Sequence, residues 1–466
     1  MSSEFRPEEM LVWARGLYEF GFRRPGTPAG IKAEDYLFGL LQDFGLPKVA
    51  AEAVPFVGWF PERAYLVVSG PGGSSSFSAE PVVYTSFTPA AGLTAPLIHI
   101  GRGRPEDLAG LDLAGKIALV FYDYGWLDYH DLAPWALHLH DPEGNLNGRG
   151  QAMTWITEEE QRIYDLAFQA GAAGLVGVFP LDLTPYLCYE GGNAFIGRTG
   201  SIPALGLKKS QGLALKELLL QGRLEATLIQ TGETRPAITR NLVGLIPGRS
   251  GRVIQVTSHH DSMWLGATED AAGAAVVLAL ARHWAGRRPE HTLAFVLEAA
   301  ECLYVLGSRA YIGLHKDDSI HDLIADLHVE HLAREFVAGP GGALVPTGQI
   351  QPRAMFVSRA GPLVDLVKEA VIKHDLQRTV ILPADTPLGC PTDATCYHRS
   401  GLPVASFISP PLYWNTLEDT WDKIAVETLT PTAAAFNHMI EALMETDPNL
   451  IRPPGPPGDG YLRYRE

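Results

Sequence analysis

The stretch FVLEAAECLYVLGS, residues 295–308, decides how the chain is read. Its first part is an apolar run of the kind that forms a strand buried on both faces. It then delivers two carboxylates, Glu298 and Glu301, and a thiol, Cys302, ahead of a Gly-Ser turn at Gly307. Buried charges need partners or a metal, so a strand that ends this way points to a site. Working outward, VIQVTSHHDS reads as a second buried strand, ending in His259, His260 and Asp261. LIADLHVEHL reads as a third, with His328, Glu330 and His331 at its end. DAAGAAVVLALARHWAG is apolar almost all round and reads as an internal helix. The turn GATEDAAG opens that helix with Thr268, Glu269 and Asp270, and a further polar loop surrounds Asn415 and Asp419. LVDLVKEAVIKHDL is an amphipathic helix and PVASFIS another strand. Strands alternating with helices make an α/β sheet, and such sheets place their sites at the carboxyl ends of strands.

Each polar feature also has an ordinary structural reading. Thr268 suits a helix N-cap, with Glu269 and Asp270 favouring the helix N-terminus. A histidine at a strand end suits a hydrogen-bonded structural role. Five such features in one α/β unit favour a shared site.

Further toward the N-terminus, PEEMLVWARGLYEF and AEDYLFGLLQDFGL have helical spacing of apolar residues, with FRRPGTPAG between them as a loop. YLVVSG and PVVYTSF read as strands. From about residue 90, IALVFYD, AFQAGAAGLVGV, SIPALGL and LALKELLLQG alternate strand and helix, which implies a small α/β unit. TWITEEEQRIYDLAFQ reads as an amphipathic helix with a solvated acidic face. The end of the chain, IRPPGPPGDGYLRYRE, is rich in Pro and Gly and reads as an extended or disordered arm.

With 466 residues the chain needs two or three cores. Its 46% hydrophobic and 19% charged residues are those of a folded soluble protein. A formal net charge of −16 argues against nucleic acid and anionic membrane surfaces as partners. No apolar run suits a membrane span, and MSSEFRPEEM lacks the basic and apolar regions of a signal peptide, so a cytoplasmic location is expected. Cys188, Cys302, Cys390 and Cys396 read as reduced thiols rather than a disulfide framework.

RNLVGLIPG, VIQVTSHHDS, GATEDAAGAAVVLALAR, LAFVLEAAECLYVLGSRAY, ADLHVEHL and YWNTLEDTWDKI follow, in order, the motifs of the co-catalytic zinc aminopeptidases, a family that includes the glutamate-carboxypeptidase type. The chain resembles that family over nearly its whole length. HIGRGRPEDLAGLDLAGKIALV and the segments after it resemble the family's protease-associated insert. The resemblance implies a mixed central β-sheet flanked by helices, with a smaller inserted α/β domain. It divides the chain into an N-terminal part (1–88), the insert (89–235), the remainder of the peptidase domain with the metal site (236–446) and the tail (447–466).

Such enzymes use two zinc ions, about 3.5–4 Å apart, to hold a bridging water and stabilise the oxyanion. By resemblance, His259 is a metal ligand and Asp261 orients it. Glu269 stands at the bridging position and Asp270 follows it. Glu301 is the general base. Cys302 stands where the family has a second glutamate ligand. Glu330 best matches the next acidic ligand, with Asp326 as the alternative. Asn415 stands where the family has its last histidine. Asp393 matches an aspartate ahead of a Gly-Leu-Pro turn. His260 falls on a variable position.

These matches give one metal position of His259, Glu269 and Glu330, a three-ligand set with room for water. The other would have Glu269, Cys302 and Asn415. A thiolate binds zinc well, whereas a neutral amide is a poor ligand; Cys302 equally suits a small buried side chain. Three outcomes follow: a one-zinc hydrolase, a two-metal enzyme with unusual ligands that selects another divalent metal, or a non-catalytic binding or scaffold protein built on the peptidase fold. The implied substrate is a small molecule or short peptide with an amide bond.

Overall fold

The structure is a computed structural model and describes residues 4–123, 126–146, 151–153, 157–185, 197–386 and 389–463. Two helices open the chain, α1 (Pro7–Tyr18) and α2 (Pro28–Asp43). Each has proline in its first turn, where the missing N–H has no helical partner to lose. Then come β1 (Lys48–Gly70), β2 (Leu93–His99), β3 (Ile117–Phe121), β4 (His138–His140), α3 (Thr157–Gln169), β5 (Gly174–Val178), β6 (Ala204–Leu207), α4 (Lys209–Gln221) and β7 (Glu225–Ile246). The remaining principal elements are β8 (Val253–His259), α5 (Ala272–Trp284), β9 (Thr292–Glu298), α6 (Leu306–His315), β10 (Leu323–Val329), β11 (Arg353–Val357), α7 (Leu363–Lys373), β12 (Thr379–Pro383), β13 (Val404–Ile408) and α8 (Val426–Glu445).

One mixed sheet runs in the order β6-β5-β3-β2-β7-β9-β8-β10-β13-β11-β12-β4. Its centre, β9-β8-β10-β13, is parallel. These strands are buried on both faces, as their unbroken apolar sequences require. Helix α5 is buried along almost its entire length and packs between the sheet and helices α1 and α8. The expected mixed α/β architecture is the observed one.

The strands β2, β3, β5 and β6 form a second parallel patch, with its own apolar clusters on the two faces. It joins the centre through β7, whose first half pairs with β2 and whose second half pairs with β9. Strand β1 pairs with β7 from Lys48 to Ser69, a long ribbon that periodicity in YLVVSG alone does not announce. His138 and His140 lie on β4 at the opposite edge of the sheet, beside β12.

One expectation needs correction, and of the two readings of the tail the extended arm is the observed one. PVVYTSF is not a continuous strand: Glu80–Pro81 pairs, Val83 makes an isolated bridge, and Tyr84 takes a left-handed φ of 57° that ends any extended run. The Pro/Gly-rich tail is ordered through residue 463 and docks on the domain. Arg452 donates to the carbonyls of Ile320, His321 and Leu323, and Tyr461 is buried with its N–H on Ser400 Oγ. Prolines leave few N–H groups to satisfy, so an extended arm packs without a ladder. Cys302, Cys390 and Cys396 are free thiols; Cys188 lies outside the described residues. Among the described residues, no helix is long and apolar enough to cross a membrane.

Candidate metal centre

Parallel pairing brings the polar ends of β8, β9 and β10 side by side. His259 is level with Glu298 on β9, and Thr257 is level with His328 on β10. The loops that follow, with the opening of α5, carry the remaining polar groups. Residues in the left-handed region cluster here: Ala300, Tyr304, Val305, His331 and Asn415 all have φ between 46° and 60°. Non-glycine residues hold such angles where the surrounding structure over-determines them.

His259, Glu269 and His331 offer ligand atoms that all lie within 4.8 Å of one another. All three side chains are almost fully buried. Nε2 of His259 lies 3.6 Å from Oε1 of Glu269 and has no hydrogen-bond partner among the described residues. Nε2 of His331 contacts the other oxygen of Glu269. Each ring is oriented through its other nitrogen. Nδ1 of His259 donates to the carbonyl of Asp261 at 3.2 Å, and Nδ1 of His331 donates to the carbonyl of Ser409 at 2.9 Å. A backbone acceptor on Nδ1 leaves the Nε2 lone pair of His259 free, as a metal-binding imidazole requires, whereas Nε2 of His331 also accepts the indole N–H of Trp414 at 3.1 Å, a bond that a cation would have to displace.

Electrostatics agree. Burial opposes a charge on His259, but Asp261, Glu269, Asp393 and Glu301 outweigh it and raise its proton affinity well above that of an ordinary imidazole. Burial likewise opposes charge on His331, yet Glu269, Glu330 and Asp270 carry it up to about 9. The centre therefore holds positive charge strongly, either as protons or as a cation.

Glu330 adjoins this group without belonging to it: its Oε2 is 3.8 Å from Nε2 of His331. It falls instead in a second close group with His328 and Asp393. Of the sequence-derived set, His259 and Glu269 converge, Glu330 flanks them, and His331 completes the trio. His331 sits in the quoted strand end, but it aligns with no expected ligand, so only geometry singles it out.

Asp261 lies behind His259, with Oδ1 at 3.8 Å from Nδ1. The same oxygen accepts the backbone N–H of Glu301 at 3.0 Å, and Oδ2 accepts the thiol of Cys302 at 3.1 Å. Burial works against ionisation of Asp261, but His259, His260 and Cys302 hold its carboxyl down to about 2. A thiol that donates keeps its proton, and Cys302 is absent from both groups of convergent donors. Asn415 is buried, and neither atom of its amide has a hydrogen-bond partner among the described residues. Glu301 is half-buried, and its charge acts on both His259 and Asp393. Asp270 accepts from Ser258 Oγ and from the N–H groups of Gly273 and His331, which makes it a bracket between α5 and the end of β10. Asp326 accepts from Thr257 and Gln255.

The bend carrying Glu269 is fixed from two sides. Asp419 accepts the N–H groups of Thr268 and Glu269. Arg23, fully buried, donates to the carbonyls of His260, Leu265, Gly266 and Glu269 at 2.8–3.2 Å. Nothing in FRRPGTPAG distinguishes Arg23 from an ordinary loop arginine.

A parallel sheet whose strand ends gather imidazoles and carboxylates around one point is a framework that can hold a metal ion. Residues 241–440 match the model of peptidase family M28. The chain is 27% identical over 230 residues to aminopeptidase YwaD of Bacillus subtilis (strain 168), a match spanning 48% of this chain and 41% of that protein. The fold is shared with a zinc aminopeptidase from Bacillus subtilis, at 20% identity and a TM-score of 0.67, over 96% of this chain and 98% of that one. It is shared also with a peptidase M28 precursor from Shewanella amazonensis SB2B, at 22% identity and a TM-score of 0.70, over 96% of each chain.

Proposed function

We propose that the chain is a metal-dependent, aminopeptidase-like hydrolase of an amide or peptide bond, with the cation held by His259, Glu269 and His331 and with Glu301 as general base. The observation that carries this reading is the convergence of two imidazole Nε2 atoms on opposite oxygens of the buried carboxylate of Glu269. The donor set fits zinc, the metal of the Bacillus subtilis zinc aminopeptidase whose fold the chain shares.

When bound there, a divalent cation polarises the scissile carbonyl and lowers the pKa of water. The chain's own residues do the rest. Asp261 locks the ring of His259 and, through the N–H of Glu301, fixes the loop that carries the base. Glu301 takes the proton of the attacking water and delivers it to the leaving nitrogen. Asp419 and Arg23 hold the backbone of Glu269 in place. Cys302, whose S–H donates a hydrogen bond to Asp261, stays outside the cation's shell, and one site of this kind suffices for the chemistry.

The substrate class is a small-molecule or short-peptide amide. The test is hydrolysis of a panel of aminoacyl 4-nitroanilides and dipeptides by chelator-stripped protein before and after zinc. Activity restored by zinc supports the reading. A folded, zinc-loaded protein that hydrolyses none of them supports a non-catalytic binding role, which the replacement of two family ligand types by Cys302 and Asn415 would also suit.

A further inference from the structure

We propose a second cation site on His328, Glu330 and Asp393, separate from the Glu269, Cys302 and Asn415 position that family resemblance implies, with Glu330 shared between the two centres. It rests on reading His259, Glu269 and His331 as the first centre.

Ligand atoms of His328, Glu330 and Asp393 all lie within 4.8 Å of one another, and all three side chains are nearly fully buried. The tautomer of His328 is set by a relay. Thr257 Oγ1 donates its single proton to Asp326 Oδ1 at 2.9 Å. At 2.7 Å from His328 Nδ1 it can then only accept, so Nδ1 carries the hydrogen. Nε2 faces Oε1 of Glu330 in close contact, so a positive charge lies between them, a proton in the metal-free chain that a cation can replace. A second sign comes from Asp393. Its Oδ2 is buried and has no hydrogen-bond partner among the described residues, a costly state for a carboxylate without a cation.

One imidazole and two carboxylates form a ligand set that zinc accepts with a position left for water. Glu330 suits a shared role because its two oxygens face different centres: Oε1 faces His328, and Oε2 lies 3.8 Å from His331 Nε2. The backbone N–H of Asp393 also donates to Oε1 at 3.2 Å, which ties the third ligand to the shared carboxylate.

The test is zinc per chain, by mass spectrometry, on full-length protein stripped with a chelator, reloaded with zinc chloride and desalted. Two zinc ions are expected in the wild type. His328→Gln and Asp393→Asn should each retain one, and so should His331→Gln, which disables the other centre. A single zinc that survives His328→Gln and disappears in His331→Gln would overturn the second site and leave the first standing. No zinc in the folded wild type would overturn both. Should the buried substitutions prevent folding, X-ray absorption on wild-type protein titrated with zinc decides: a first equivalent whose spectrum the second leaves unchanged, because the second stays free, overturns the proposal, and a second bound equivalent supports it.

Discussion

Nε2 of His259 lies 3.6 Å from Oε1 of Glu269, although one residue ends a strand and the other precedes a helix. The ring cannot turn away without losing the hydrogen bond from Nδ1 to the carbonyl of Asp261. The carboxylate cannot leave without breaking the anchors that Asp419 and Arg23 place on its backbone. The pair is therefore preorganised by the fold, and the consequences below depend on it.

Glu301→Gln should keep the metal and lose turnover. Loss of a general base costs about 10²–10⁴-fold in rate. Metal analysis and initial rates on the same preparation check this; unchanged rates would remove Glu301 from the mechanism.

Asp261→Asn keeps the backbone carbonyl that orients His259 but removes the carboxylate charge 3.8 Å from Nδ1, so it should weaken metal affinity by about 10-fold, the low end of the effect of altering a partner behind a ligating histidine. Competition with a chromogenic chelator measures it. The same variant should also slow turnover at saturating zinc, because Asp261 holds the Glu301 loop.

Gly307→Ala should destabilise the fold by about 3 kcal/mol or more, an overpacking effect. A Cβ there would stand 2.2 Å from the carbonyl oxygen of Ala299 and 2.6 Å from Oδ1 of Asn241. Those atoms are fixed, since Asn241 bridges Ala299 N–H and the Gly307 carbonyl. Denaturant midpoints with an unchanged slope would report the loss.

Glu298 makes stability depend on pH. Burial pushes its carboxyl up to about 7, against the charge of His328 and hydrogen bonds from Ser308 and Tyr397. In the folded chain it binds a proton that the unfolded chain, at the ordinary 4.5, has released. Its contribution is therefore full below the ordinary value and is lost as pH rises through about 7. In metal-free protein, raising the pH across that window should lower the urea midpoint of the wild type more than that of Glu298→Gln.

Much of this was legible in the sequence for one reason: strands of a parallel sheet are apolar until they end, so polar residues at their ends stand out. His259, Asp261, Glu301 and Glu330 were read that way, and Glu269 from the polar turn that opens an apolar helix, with the order of motifs supplying their implied roles. His331 stood among those polar ends but received no role, because a side chain after a strand end can point anywhere, and its direction depends on a left-handed backbone and a carbonyl of Ser409 far along the chain. Arg23 was hidden for a similar reason: it meets four carbonyls about 240 residues away. The long β1–β7 ribbon was also obscure, since its alternation is broken by Pro55, Gly58 and Pro61.

The most direct test of the central claim is anomalous scattering at the zinc edge from crystals of the zinc-loaded protein. The account expects a peak within coordination reach of His259 Nε2, His331 Nε2 and the carboxylate of Glu269. No peak at that point, or one bound instead by Cys302 Sγ and Asn415, would contradict it.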